Sequence, residues 1–228
     1  MGLETQSHND SGSTFLSVRM GVDDRGRKKA ILAKRSTAET PGARQVFKGN
    51  GDPALDKDGN NVYRLEYAAI NGRIIGMETV QSEFNGKPVR YLNIGIEDRG
   101  ERFVLVIERG DRYWSDFMMR LPMLDLGKPV RLAPYAIEED GKFNQGISMQ
   151  QDGNKVPRKW TKENNYENGP PMAEQIEIND EVKWDFGKRN KWLEANVLDP
   201  AIAYLSKSTA QPSKPATVAT DSDDDLPF

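Results

Sequence analysis

Apolar and polar residues alternate over Val89–Glu97, with Leu92, Ile94 and Ile96 on one face and Tyr91, Asn93 and Gly95 on the other. That two-residue period is the pattern of a half-buried strand. Arg102–Glu108 predicts the next strand, with Phe103, Leu105 and Ile107 on one face and Val104 and Val106 on the other, as in a strand covered on both sides. The period then changes. Asp111 is placed to cap a helix in which Trp114, Phe117, Met118 and Leu121 recur at helical spacing, and Pro122 ends it. Pro129–Glu138 and Lys142–Gln151 predict two further strands joined by the turn Glu139-Asp-Gly141. Upstream, Val62–Ile70 and Arg73–Phe84 are strand-like and meet at Asn71-Gly72, which marks a hairpin turn or a bulge. Thr14–Met20 and Lys29–Arg35 predict a hairpin turning through Gly21-Val-Asp-Asp-Arg-Gly26, and Ser36–Asn61 reads as a long loop.

A three-strand meander, one helix and a two-strand hairpin is the strand order of an OB-fold, a five-stranded barrel with its helix between the third and fourth strands. An α+β sandwich with the same element order is the alternative. The expected class is therefore mainly β. The expected organisation is a disordered stretch over 1–13, a basic hairpin and loop extension over 14–61, and an OB-fold core over 62–155. A C-terminal arm with helices follows over 156–205, then a flexible linker over 206–220 and an acidic tip over 221–228. Within the arm, Thr161–Glu181 reads as acidic loop, Lys188–Leu198 as a helix, and Asp199-Pro200 as the start of another through Leu205. Trp184 and Trp192 are expected to pack this extension.

Composition supports a compact core with long polar excursions. Of the 228 residues 36% are apolar, with 20 glycines and 13 prolines. The chain has no cysteine, which excludes disulfides, thiolate nucleophiles and cysteine-held zinc. No apolar run reaches membrane-spanning length and Met1–Asp10 lacks a signal-peptide core, so a soluble cytoplasmic protein is expected. The net charge of −3 conceals segregation. Basic residues crowd 19–48, including Arg25, Arg27, Lys28 and Lys29, and again 154–162, with Lys155, Arg158, Lys159 and Lys162. Asp221, Asp223, Asp224 and Asp225 concentrate acid at the end. Local field, rather than the sum, governs association with a polyanion.

The last eight residues, DSDDDLPF, join acids to Leu226, Pro227 and a terminal Phe228. Proline keeps such a tip extended, and the ring supplies roughly 2 kcal/mol if buried in a partner's pocket. Asp223-Asp-Asp-Leu-Pro-Phe228 closely resembles the acidic tip of bacterial single-stranded-DNA-binding proteins. Residues 73–135 resemble phage-type single-stranded-DNA-binding proteins through Glu83-Phe-Asn-Gly-Lys87, Phe103-Val-Leu105 and Arg120-Leu-Pro-Met-Leu-Asp-Leu-Gly-Lys-Pro129. The resemblance implies an OB-fold and sequence-independent binding of single-stranded DNA in replication, recombination and repair. It also implies partners docking on Asp223, Asp224, Asp225, Leu226, Pro227 and Phe228: a polymerase, helicase, primase or nuclease. The long segments flanking the barrel depart from the compact bacterial form, so its tetramer does not carry over.

Single-strand binders pair cations with aromatic rings on which bases stack. The residues of that type are Arg73, Arg90, Tyr91, Lys142, Phe143, Arg158, Lys159 and Trp160. Tyr91 points away from the Leu92 face, toward a base or merely over the barrel edge. Phe143 shares a face with Ile147 and Met149, so a core role is equally open. Trp160 follows two cations and either stacks or pins the arm; Trp114 belongs to the core. An RNA-binding or strand-annealing OB protein is the alternative function. A metal nuclease built on Glu97, Asp98, Glu108 and Asp111 is the less favoured one. No catalytic activity, cofactor or metal is expected. The single histidine, His8, lies outside any triad pattern, Gly49-Asn-Gly51 lacks a dinucleotide fingerprint, and Asp56-Lys-Asp58-Gly59-Asn60 reads as a turn rather than a calcium loop.

Overall fold

The computed structural model describes residues 12–22, 27–48, 50–84, 86–139, 142–164, 166–178 and 181–209. Residues 1–11, the turns expected at 23–26 and 140–141, and residues 210–228, with most of the expected linker and the whole expected tip, lie outside them; the first residues of that linker, 206–209, belong to the last helix. The elements are β1 (Ser13–Val22), β2 (Lys28–Ser36), β3 (Arg44–Gln45), β4 (Tyr63–Tyr67), β5 (Ile70–Phe84), β6 (Lys87–Asp98) and β7 (Glu101–Glu108). Helix α1 (Arg112–Arg120) and a 3-10 turn (Leu121–Met123) follow, then β8 (Pro129–Glu139), β9 (Lys142–Gln151) and β10 (Asn154–Lys155). The chain continues through β11 (Glu174–Ile178), β12 (Glu181–Asp185), α2 (Gly187–Leu193), a π-helical stretch (Glu194–Leu198) and α3 (Asp199–Thr209).

The protein is mainly β. Among the described residues ten strands form one sheet in the order β10-β9-β8-β5-β6-β7-β1-β2-β4-β3, and it does not close into a barrel. A five-stranded barrel would need β7 to meet β9. Both edges are taken. The edge of β7 pairs in parallel with β1, from Ser13↔Arg102 to Ser17↔Val106. The edge of β9 is covered by α1 and the arm: Arg112 donates to the Phe143 carbonyl, the Ile147 amide donates to Asp116, and the Val156 amide donates to the Met149 carbonyl. The β1–β2 hairpin expected as an extension is thus a full member of the sheet.

The meander β5–β6–β7, the capped helix and the β8–β9 hairpin form as the hydrophobic pattern requires. Leu92, Ile94, Ile96, Leu105 and Ile107 are buried, as are Trp114, Phe117, Met118 and Leu121. Each such side chain contributes about 1.5–3 kcal/mol. Asn71-Gly72 is not a turn. β5 runs straight through it, and the chain breaks earlier, at Ala68 and Ala69, so that β4 pairs with β2 instead. Residues 70–73 pair with β8 and residues 73–84 with β6, so β5 passes from one neighbour to the other at Arg73, next to Gly72. Gly72 has φ +148°, and a Cβ there would stand 2.5 Å from the Glu97 carbonyl oxygen. The irregular register falls three residues on, between Ile74 and Gly76. The acidic loop expected over Thr161–Glu181 instead contains β11, which pairs with β12 as a hairpin, and Trp184 is 58% exposed on β12 rather than packed.

Asp116 organises the α1–β9 seam. Its side chain is buried and accepts from Arg120 Nε (3.2 Å), Arg158 Nε, the Tyr135 hydroxyl (3.3 Å) and the Ile147 amide (2.9 Å). Gly146 makes this approach possible: a Cβ there would lie 2.2 Å from Asp116 Oδ2 and 2.7 Å from the Tyr135 oxygen. Gly146→Ala is therefore expected to lower unfolding stability by about 2–4 kcal/mol, combining overpacking with loss of a buried acceptor network. Urea unfolding measures it, and a change under about 0.5 kcal/mol contradicts the role given to Asp116.

Candidate nucleic-acid interface

Register places Tyr91 opposite Glu108, at the end of the β6–β7 ladder. Two residues beyond Glu108, Gly110 turns the chain into Asp111, whose carboxylate accepts from the Trp114 amide at 2.6 Å and starts α1. Tyr113 in the first turn lies off the buried stripe, and its hydroxyl reaches Met20 Sδ of β1 at 3.6 Å. Gln145 of β9 meets the same sulfur at 4.0 Å. Two residues away on that strand face, the Phe143 ring lies under Lys28 Nζ of β2 at 5.5 Å. Tyr113 and Phe143 are thereby joined through Met20, Gln145 and Lys28, whereas Tyr91 lies on the opposite face of the sheet, in a row with Glu108 and Arg19.

Electrostatics at this end is mixed. Burial and then the nearby Glu108 raise the Tyr91 hydroxyl pKa, while Arg19 opposes the rise. Burial, followed by Asp111, raises that of Tyr113. Both residues are half-buried. Lys28 and Arg112 supply exposed cations beside Phe143. This pairing of flat rings with cations suits base stacking and phosphate contact.

The other expected contacts sort differently. Arg73 is exposed on β5, opposite Glu97 and Pro129. Arg90 faces away from Tyr91 and pairs with Glu194 at 3.4 Å, beside the bidentate Arg109–Glu194 pair at 2.6 and 2.8 Å. It anchors the C-terminal helices. Lys142 begins β9, and its side chain lies outside the described residues. Arg158 is committed to Asp116. Trp160 is 5% exposed, packed edge-on against Trp192 with centroids 5.2 Å apart, and is not available to a base. It pins the arm, with Lys159 Nζ over its ring at 5.0 Å. Tyr113 and Arg112 were missed by the sequence pattern, although both fall beside the apolar stripe of a helix whose cap was legible.

The four acids considered for a metal nuclease do not converge. Glu97 and Asp98 sit by the β6–β7 turn, whereas Glu108 and Asp111 lie at the other end, about 20 Å away over six residues of strand. Asp56 accepts from the Asp58 and Asn60 amides at 2.9 Å each and pairs with Arg35 at 2.9 Å, as a turn does. No group of three or more metal-ligating side chains occurs among the described residues, and no helix there is long and apolar enough to cross a membrane. No protein-family model, curated protein or solved structure matches the chain.

Asp111 gives this end a pH response. Burial raises its pKa from 3.8 to about 6, opposed by the Trp114 amide and reinforced by Glu108. Folding favours the protonated form, so the stability Asp111 adds is complete below about pH 4 and is lost as pH rises through about 6. Asp111→Asn keeps a capping acceptor and removes the titration. Its Tm relative to the parent is expected to rise between pH 4 and pH 7. A constant difference across that range contradicts the assignment.

Proposed function

We propose that the chain binds single-stranded DNA without sequence preference and serves replication, recombination and repair by covering exposed strands. The observation that carries this reading is the Phe143 ring under Lys28, with Arg112 bonded to the Phe143 carbonyl and Tyr113 on the same helix turn; Tyr91, on the other face of β6, is a second aromatic contact in the proposal. Base–aromatic stacking is tolerant of sequence because every base has a π-face. The basic residues of β1 and β2 offset the acidity of the whole chain at the place where a phosphate backbone would pass.

We read β5–β9 with α1 as an OB-fold opened by an inserted hairpin. Support comes from the meander–helix–hairpin order and from β5 pairing with both β6 and β8. The proposed surface then includes the β6 face and the β8–β9 loop, both regions that OB-folds use for oligonucleotides. The acidic tip ending in Phe228 is the proposed dock for replication and repair partners, and a bacterial cytoplasm, with a phage-encoded origin, the proposed setting. This activity needs no cofactor and no catalytic step.

Tyr91→Ala and Phe143→Ala are each expected to weaken oligo-dT binding by about fivefold to a hundredfold, with Tm of the Tyr91 variant nearly unchanged. Fluorescence titration against oligo-dT, oligo-U and duplex DNA checks this. Affinities within twofold of the parent for both variants would falsify the interface, and a preference for single over double strands below about tenfold would remove the function. Tighter binding of oligo-U than of oligo-dT would move the reading to RNA.

Removing residues 221–228 is expected to leave oligo-dT affinity equal or higher at low salt, because the tip carries charge of the same sign as DNA. A drop in affinity contradicts its assignment to protein partners.

A further inference from the structure

β4 leaves β2 early. Its last pair is Tyr67↔Leu32, and from Ile70 the chain pairs with β8 instead, whereas β1 follows β2 as far as Lys28. Residues 28–31 of β2 therefore have a strand on one side and none on the other among the described residues. A pocket of about 420 Å³ opens in that gap, between the free edge of β2 and Pro134 of β8. Lys29, Ile31, Arg44, Glu66 and Tyr67 line it. Arg64 Nε holds Glu66 Oε1 at 2.8 Å, while Arg44 Nη1 stands 3.9 Å from Oε2, beyond hydrogen-bond range. The Arg44 side chain is 65% exposed, Tyr67 is 39% exposed and Lys29 is half-buried.

We infer that this pocket takes one nucleotide unit, with its base against the Tyr67 ring and its phosphate between Lys29 and Arg44. The volume lies in the range of small-molecule sites. An inorganic anion would satisfy the two cations and leave the ring and the strand edge unused. An apolar ligand would do the reverse. A nucleotide uses all of them: a flat base for the ring, an anion for the cations, and polar base edges for the amides and carbonyls that an unpaired strand edge presents. Glu66 adds a direction to the recognition. Its carboxylate can accept from the exocyclic amine that cytosine and adenine carry and thymine lacks. Such a bias at one position leaves the remaining contacts tolerant of sequence.

As a part of the DNA path, the pocket rests on the single-strand reading. Lys28, next to Lys29, lies over Phe143. Pro134 pairs with Ile147, four residues along β9 from Phe143, or about 13 Å of strand. A strand crossing Phe143 can therefore seat a neighbouring nucleotide in the pocket. A free mononucleotide offers the same chemistry, and the two sources separate by experiment.

Thermal unfolding of the full chain in millimolar dCMP is expected to give a Tm about 1–3 °C above that in inorganic phosphate at equal ionic strength, with a smaller rise in dTMP. Tyr67→Ala and Arg44→Gln are each expected to lose at least half of the dCMP rise. Arg44→Gln changes an exposed side chain and decides the matter if Tyr67→Ala does not fold. Oligo-dC is expected to bind about threefold to tenfold tighter than oligo-dT, and Glu66→Gln to bring that ratio near one. A ratio near one in the parent overturns the assignment of Glu66. For oligo-dC, a salt slope about 0.7 lower in Arg44→Gln assigns the pocket to a bound strand. An unchanged slope with the dCMP rise lost assigns it to a free nucleotide. A dCMP rise lost in both variants of a chain that fails to bind oligo-dT keeps the pocket and removes the DNA reading. Full retention of the rise in both variants, or no rise in the parent together with an unchanged slope, overturns the pocket and leaves the Phe143 surface standing.

Discussion

A buried carboxylate sets the course of the sheet. Asp116 accepts from two guanidinium groups, a phenol and a strand amide. Taking a carboxylate out of water costs several kcal/mol, and that cost is offset only when the surrounding donors are complete. Here they come from α1, β8, β9 and the arm, so the four elements are fixed together or not at all. Removing Asp116 alone would leave Arg120, itself buried, and half-buried Arg158 without their common partner, which is the costly way to break such a network.

The shape of the interface follows from that seam. With Arg112, Asp116 and Val156 bonded along β9, that strand presents no open edge to β7. β7 instead accepts β1, and β1 brings β2 with it. Lys28 is carried in this way to Phe143, and Met20 to Tyr113. A closed five-stranded barrel would leave the basic hairpin as an appendage. The open sheet makes it one wall of the aromatic cluster. A chain of net charge −3 can then present local positive charge where the rings are exposed.

Much of the fold was legible because it is local. The alternation in β6, the cap at Asp111 and the stripe Trp114–Leu121 each follow from neighbours in sequence. What failed to show depends on residues far apart. Asn71-Gly72 has the composition of a turn, yet Gly72 serves the passage of β5 across Glu97, twenty-five residues away. The parallel pairing of β1 with β7 joins residues nearly ninety positions apart and leaves no periodic trace. The β11–β12 hairpin is so exposed that it has no buried face to imprint on its sequence.

The same distinction governs the candidate site. A cation's type and neighbours in sequence did not reveal its use; the carboxylate nearest in space did. Glu194 holds Arg90 and Arg109 against the C-terminal helices, and Asp116 holds Arg120 and Arg158 in the α1 seam. These arginines are framework, although Arg90 adjoins Tyr91 and Arg158 lies two residues before Trp160. Trp160 itself is drawn inward because Trp192 offers an edge for its ring. Of the cations that the fold brings to aromatic faces, Lys159 lies over the buried Trp160, and Lys28 over Phe143 is the one the proposed surface uses. That pair lies on the β9 strand whose edge α1 occupies, so the contact proposed for a single strand sits where the sheet does not close.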